Sequence, residues 1–126
     1  MSFESDIDAA YKKKVVGLQE KVIRKVAIDV QSGLDIATPV DTGRARSNWL
    51  ASIGIPRTDT VESTGGSTPI NFSGYKLGLS IFIANNLPYI SRLNQGSSQQ
   101  APSGFVDNVI QRVTNQVSNI AKGFRL

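Results

Sequence analysis

An apolar stripe in the first third of the chain limits the possible folds more than any other feature. Apolar residues recur there at steps of three and four, which places them on one face of an α-helix. The pattern predicts one helix from residue 3 to about residue 36. A helix of about 30 residues is roughly 45 Å long, more than the core of a small domain needs. We therefore expect part of it to lie on a neighbouring subunit. The stripe consists of Ile7, Tyr11, Val15, Leu18, Val22, Val26, Val30 and Leu34.

Charge is distributed unevenly along this predicted helix. Its first turns are acidic, where the helix dipole favours negative charge, and its basic residues lie mostly off the stripe. A solvated basic face on an ordinary core helix is the simpler interpretation of those basic residues. Thr38-Pro39 ends the helix, because the residue before a proline is pushed out of the helical region. The acidic residues of the first turns are Glu4, Asp6 and Asp8, and the basic residues are Lys12, Lys13, Lys14, Lys21, Arg24 and Lys25.

The central part of the chain predicts a short helix and two strands. Asp41 can cap a helix from Arg44 to about Asn48 by accepting the free N–H groups of its first turn. Apolar residues then alternate with others over residues 49–55, which predicts a strand that ends at Pro56. The clearest alternation covers residues 75–84 and predicts a second strand.

The last third predicts one helical turn and a final helix. The turn belongs to a segment that starts at residues 87–90 and carries Arg92 and Leu93, and the final helix begins at about Phe105. Val106, Val109, Val113, Val117, Ile120 and Phe124 form the apolar stripe of that helix.

Two polar segments separate these elements. Residues 57–74 predict a long loop, or a loose hairpin that turns at Gly65-Gly66, and residues 94–104 predict a second loop. Loops of this length either order against a partner or lack a role and a fixed structure. Neither a repeat nor a domain boundary is visible, so we expect one domain over residues 1–126. The elements predict an α+β fold, with a small antiparallel β-sheet packed against a long N-terminal helix and a C-terminal helix.

Composition argues against an enzyme. The 126 residues include no His and no Cys, which removes the commonest general base, thiolate chemistry and disulfides. The acidic N-terminus is unlike a secretory signal, and no apolar run approaches the roughly 20 residues that span a bilayer. The net charge of +4 permits an acidic partner or DNA without requiring one.

Candidate catalytic, metal and phosphate sites are weak. Asp35 and Asp41 flank Pro39, but nothing separates their pKa values as acid/base catalysis requires, and Asp at such positions normally caps or turns the chain. Asp6 and Asp8 are solvated charges at a helix start and too few for a hard-metal site. The stretches Gly65-Gly66-Ser67 and Gly43-Arg44 match neither the P-loop pattern nor the glycine pattern of dinucleotide-binding folds. We therefore predict no enzyme activity, no metal and no cofactor.

Nucleic acid remains an alternative ligand. Arg44 and Arg46 lie near the start of the predicted short helix, and Arg92 follows Tyr89 in the predicted helical turn. The basic residues are not interleaved with aromatic ones as in a stacking platform. Non-specific proximity to a nucleic-acid backbone stays open.

Two groups of motifs resemble the bacteriophage HK97 gp10-like tail-component family. The family pattern is a long N-terminal helix, a PVDTGxLRxS-like corner, a central sheet, a Tyr-containing segment, a Gly turn, an Ala-Pro and a final helix. Many relatives carry Glu just before the Gly turn, where this chain has Leu93-Asn94-Gln95. The matching positions are Pro39, Val40, Asp41, Thr42, Gly43, Arg44, Arg46 and Ser47, and then Tyr89, Gly96, Ser97, Ala101, Pro102 and Phe105.

The resemblance implies a structural virion protein of the phage neck or tail end. Such a protein forms a homo-oligomeric ring, hexameric or dodecameric, around the DNA channel. It completes or terminates the tail and joins it to the head connector or adaptor protein, next to the tail tube or terminator protein. We expect assembly in the host cytoplasm, no membrane contact and at most non-specific contact with channel DNA.

Within this interpretation the corner has both structural and interface candidates. Pro39, Asp41 and Gly43 are predicted to form the structural corner, with Trp49 and Tyr89 as core anchors. The arginines serve either intrachain pairing or a subunit contact. The predicted interface residues are Arg44, Arg46, Arg92, Gly65, Gly66, Gln95 and Ser97. The alternatives are a basic nucleic-acid-binding accessory protein and a tail assembly chaperone that is absent from the virion.

Overall fold

A long helical segment begins the chain. The computed structural model describes residues 3–40, 43–96 and 104–124. Helix α1 (Phe3–Tyr11) continues through a π-helical segment (Lys12–Val16) into helix α2 (Gly17–Ala37). The predicted long helix is therefore confirmed, with a wider local winding that the apolar stripe did not indicate. It ends at Thr38, whose extended backbone precedes a proline as predicted.

The remaining elements are short except for the last. They are α3 (Arg44–Ser47), β1 (Leu50–Ile53), β2 (Ile81–Ala84), α4 (Ile90–Asn94) and α5 (Phe105–Gly123). Strands β1 and β2 pair antiparallel, with Leu50 opposite Ala84 and Ile53 opposite Ile81. The fold is α+β, as predicted, with a small antiparallel sheet and a long helix at each end of the chain.

The predicted strand over residues 75–84 is wrong in its first six residues, since β2 begins only at Ile81. Turns replace it. The N–H of Tyr75 donates to the carbonyl of Phe72 at 2.9 Å, and that of Leu79 donates to the carbonyl three residues earlier at 3.1 Å. Tyr75 is buried whereas Leu79 is 45% exposed. The alternating apolar residues therefore do not share one buried face, which is what a strand prediction assumes.

The first strand is also shorter than the predicted span of residues 49–55. It ends at Ile53, and the next residue, Gly54, donates its N–H to the carbonyl of Ser80 at 2.8 Å. Trp49 lies outside the strand and in the core, only 6% exposed. Its predicted role as a core anchor is confirmed, while Tyr89 is half-buried.

The core lies between the two long helices and the sheet. Gly33 of α2 allows the closest approach of α5, because a Cβ there would lie 2.7 Å from Arg112 Nη2 and 2.8 Å from Val109 Cγ1. Each large apolar side chain buried here contributes about 1.5–3 kcal/mol. The buried cluster consists of Leu34, Trp49, Phe105, Val109 and Val113.

Asn94 links α4 to the start of α5. Its side-chain Oδ1 accepts the N–H of Val106 at 3.0 Å, and its carbonyl accepts the N–H of Gly104 at 2.5 Å. One free N–H of the first turn of α5 is thereby satisfied. The start of the final helix is confirmed, whereas residues 97–103 of the predicted loop lie outside the described residues.

Candidate functional site

The corner after α2 is fixed first by Thr38. Its backbone N–H and its Oγ1 both donate to the carbonyl of Leu34, at 3.1 and 2.5 Å. The same Oγ1 accepts the indole Nε1–H of Trp49 at 2.8 Å. Thr38 is 1% exposed, so this chain of hydrogen bonds is sealed from water. The end of the long helix is thus joined to the residue that precedes β1.

Arg46 caps the end of α2 from outside. Its Nε donates to the carbonyl of Thr38 at 2.9 Å, and its Nη2 donates to the carbonyl of Ile36 at 3.0 Å. These carbonyls belong to the last turn and its cap, where the helix has no partners of its own and carries negative partial charge. Arg46, predicted as an interface residue, therefore has a defined role within its own chain.

Asn48 fastens the long polar loop to the corner. This side chain is fully buried, and its Nδ2 donates to the carbonyls of Arg44 and Val61 at 2.8 and 3.0 Å. Its Oδ1 accepts the N–H of Val61 at 2.8 Å. Arg44 adds a hydrogen bond from Nε to the carbonyl of Val61 at 3.4 Å and an exposed ion pair with Glu62 at 3.3 Å. Asn48 and Arg44 thus hold the long polar loop at Val61 and Glu62.

Gly43 and Ser47 hold the next part of the loop. Gly43 is the residue before α3 and has φ 82°, and a Cβ on it would lie 2.1 Å from the carbonyl oxygen of Thr64. Only glycine fits this position without moving the loop. Ser47 Oγ donates to the carbonyl of Gly43 at 3.0 Å and accepts the N–H of Gly66 at 2.9 Å. Asp41, the predicted cap of α3, lies outside the described residues.

Two side chains of α2 hold the loop from the other side. Asp35 Oδ2 accepts the N–H and the hydroxyl of Ser67, both at 3.2 Å. The side chain of Gln31 is buried, with 4% of the residue exposed. Its Nε2 donates to the carbonyls of Trp49 and Thr68 at 3.0 and 2.9 Å. Its Oε1 accepts the N–H of Ile70 at 3.1 Å. The loop is thus held between α2 and the corner within a single chain.

The other predicted interface residues lie in two places. Gly66 is half-buried against the corner, and Gly65 beside it is exposed. Arg92 lies in the last turn of α4, Gln95 follows that helix directly, and both are exposed. Ser97 lies outside the described residues. The structure brings Gly66 together with the corner and places Arg92 and Gln95 on a separate element.

The sequence did not indicate that the side chains of Gln31 and Asn48 would hold the long polar loop by hydrogen bonds. A signal was present for Gln31, since it stands three residues before Leu34 and four after Ala27, on the buried face of α2. A polar residue at such a position needs hydrogen-bond partners inside the fold. Asn48 directly follows Ser47, the last residue of the corner motif, but its partner, Val61, could not be inferred from spacing.

The start of the long helix is uncovered. We refer to helix α1, residues 3–11, as the N-terminal arm. Residues 5–10 are exposed throughout, including Ile7 at 55%, as are Lys12 to Lys14 beyond the arm. Asp8 and Lys12 form an ion pair at 3.1 Å between exposed side chains, which contributes little to stability. The side chains of residues 5–10 thus lie outside the core.

An open apolar groove lies beside the core. Its volume is about 500 Å³, and its walls come from α2, β2 and α5. Ile81 and Ile83, which face it from the sheet, are only half-buried. Its lining is mostly apolar, so covering the groove would remove apolar surface from water. The lining residues are Val22, Ile23, Val26, Ala27, Val30, Ile81, Ile83 and Val117.

Among the residues that the structure describes, no three Asp or Glu side chains lie close enough together to hold a metal ion. Within the same residues, no helix has the length and apolar character to cross a bilayer. Burial raises the pKa of the Tyr75 phenol, and the nearby Glu20 carboxylate raises it further.

No protein-family model, curated protein or solved structure matches this chain. Its function is therefore inferred from its own residues and from the motif resemblance described above.

Proposed function

We propose that this chain is a structural protein of the phage neck or tail end. In this proposal it assembles as a ring that completes or terminates the tail and joins it to the head connector around the DNA channel. The observation that carries the proposal is a contrast. The corner and the loop are fastened within one chain, whereas residues 5–10 of the N-terminal arm are exposed throughout. Such a division is typical of a subunit that is completed by its neighbours.

The fastened loop supports an assembly role. A loop that is ordered in the single subunit presents its exposed residues in a fixed arrangement, so association costs less conformational entropy than folding a disordered segment would. Gly65 and Glu62 are exposed members of this loop. Rigid surfaces of this kind suit a ring, in which every subunit must meet its neighbours at the same angle.

The proposed partners follow from the motif resemblance. They are further copies of the same chain in a hexamer or dodecamer, the head connector or adaptor, and the tail tube or terminator protein. The proposed location is the neck or tail of the virion, after assembly in the host cytoplasm. Contact with channel DNA would be non-specific.

A nucleic-acid-binding accessory protein is less well supported. Arg44 and Arg46 are the basic residues of the corner, and the Arg46 guanidinium donates to carbonyls of its own chain. Contact with several phosphates would require these groups to exchange existing hydrogen bonds for new ones. Oligonucleotide binding that weakens steeply with added salt would be the mark of that function.

Electron microscopy of a lysate tests the proposal, using a phage that carries a stop codon in this gene. We expect filled heads and separate finished tails, which indicate a joining role, or tails of uncontrolled length, which indicate a terminator. The matched control is the same phage grown on a host that suppresses the stop codon, which should restore joined particles. Normal infectious particles without the protein would contradict the proposal.

A further inference from the structure

The N-terminal arm has the features of a helix that binds in a groove. The sequence places apolar residues at Phe3, Ile7 and Tyr11, four residues apart, which is the spacing with which helical ligands anchor in apolar grooves. Ile7 is 55% exposed, although it belongs to that apolar stripe. Within the described side chains of the arm, residues 5–10, the one member of that stripe is therefore left uncovered by its own fold.

The groove matches the arm in length and in chemistry. Its α2 wall extends from Val22 to Val30, nine residues, and the arm is also a helix of nine residues. Either stretch is about 13 Å long at 1.5 Å per residue. The groove lining is aliphatic, so it can bury apolar anchors at about 25 cal/mol for each Å² removed from water.

Charge on the two parts is complementary. Residues 1–11 contain three acidic residues and no Lys or Arg, a formal charge of −3. The rest of the chain has 14 basic and 7 acidic residues, a formal charge of +7. Lys21 and Lys25 are exposed on α2, each directly before a residue of the groove wall, and Lys25 already pairs with Asp29 at 2.7 Å. The acidic arm is thus attracted to the body of another copy and repelled by other arms.

The geometry points to the arm of one copy binding in the groove of the next copy. The inference rests on the proposed ring and names the contact that would build it. The arm cannot reach the groove of its own chain while the helix is continuous, because α2 itself forms one wall of that groove. Occupation by the same chain would require a break in the π-helical segment.

A contact of this kind joins two different surfaces, the arm and the groove. Such heterologous contacts form a closed ring when the rotation between neighbours closes and a filament when it does not. In such a ring the arm of every copy binds in the groove of one neighbour, and its own groove binds the arm of the other neighbour. The buried apolar anchors supply affinity, and the charges set which surfaces meet.

Disulfide cross-linking tests this inference directly, because the natural chain contains no Cys. Full-length Ile7→Cys protein is mixed with full-length Val22→Cys protein under mild oxidation. The matched control replaces the second protein with Ile55→Cys, whose side chain is 78% exposed and lies outside the groove lining. We expect the arm–groove heterodimer to form at least about tenfold faster than the control pair, because binding raises the effective concentration of the two thiols. Equal rates would overturn the inference.

Sedimentation equilibrium of the full chain gives an independent readout. Ile7→Asp should weaken self-association at least about tenfold, since it removes an apolar anchor and places a charge in an apolar groove. Ile55→Asp should leave association unchanged, and circular dichroism should show both variants folded. An Ile7→Asp variant that associates like the natural chain would overturn the inference, as would a natural chain that stays monomeric at its highest soluble concentration.

Failure of the arm–groove contact can be distinguished from failure of the proposed neck or tail function. Arm–groove cross-linking together with normal particles from the stop-codon phage would retain the contact and reject the neck role. Defective particles without arm–groove cross-linking would retain the neck role and reject this contact.

Discussion

The side-chain amide of Asn48 pairs with both backbone groups of Val61. Nδ2 donates to the Val61 carbonyl at 3.0 Å, and the Val61 N–H donates to Oδ1 at 2.8 Å. This is the hydrogen-bond pattern that a neighbouring strand would supply, provided here by one buried side chain. It holds a loop of polar residues in place without a β-ladder.

Asn48→Ala should destabilise the chain by about 2–4 kcal/mol, because it removes the hydrogen bonds of one buried amide to the Val61 N–H and to the carbonyls of Val61 and Arg44. Urea unfolding measures the loss. Limited proteolysis should also show faster cleavage within residues 57–70. Asn119→Ala, at an exposed position of α5, is the control and should change stability by less than about 0.5 kcal/mol. Equal stability of the two variants would show that the hydrogen bonds of Asn48 do not stabilise the fold.

Arg46→Ala should cost about 1–2 kcal/mol, because the carbonyls of Ile36 and Thr38 lose a charged donor at the end of α2. Thermal unfolding measures the effect. Arg92→Ala removes an exposed arginine from α4 and should be nearly neutral. If Arg46→Ala were as stable as Arg92→Ala, the capping role would be wrong.

Gly43→Ala and Gly54→Ala separate backbone strain from steric conflict. Both glycines have positive φ, at 82° and 88°, so alanine costs about 1–2 kcal/mol at either position. Only at Gly43 would the new Cβ meet a neighbour, the carbonyl of Thr64 at 2.1 Å, whereas nothing lies within 4 Å at Gly54. We expect Gly43→Ala to lose more than about 3 kcal/mol. Similar losses in the two variants would contradict the close contact of the corner with the loop.

Tyr75 should make stability fall at high pH. Burial and the Glu20 carboxylate raise the folded-state pKa of its phenol. The stabilisation is therefore fully present below the unfolded pKa of about 10 and is lost as pH rises through the folded pKa. Unfolding free energies measured on either side of pH 10 should show a larger decrease for the natural chain than for Tyr75→Phe. Parallel curves would exclude Tyr75 as the cause.

The apolar periodicity of the sequence predicts the two long helices and the first strand, and with them the α+β fold class. The long stripe predicted the helical segment that ends before Pro39, and the alternation near Trp49 predicted the strand that follows. These features are local, because helix and strand periods are set by the backbone itself. The exposure of residues 5–10 also agrees with the expectation that the long helix exceeds what a small core needs.

Long-range pairings could not be predicted from one sequence. The alternation over residues 75–80 imitates a strand, but turns there expose Leu79 and bury Tyr75. The loop over residues 57–70 is fixed by residues distant in the chain, such as Gln31, whose partners depend on the folded arrangement. The groove likewise exists only where α2, β2 and α5 meet.

The most direct test of the central proposal is to locate the protein in finished particles by immunogold electron microscopy with antibodies against this chain. The proposal predicts gold at the junction of head and tail in most particles, and none on particles from the stop-codon phage. Label in the lysate but absent from purified particles would contradict it and indicate an assembly chaperone instead.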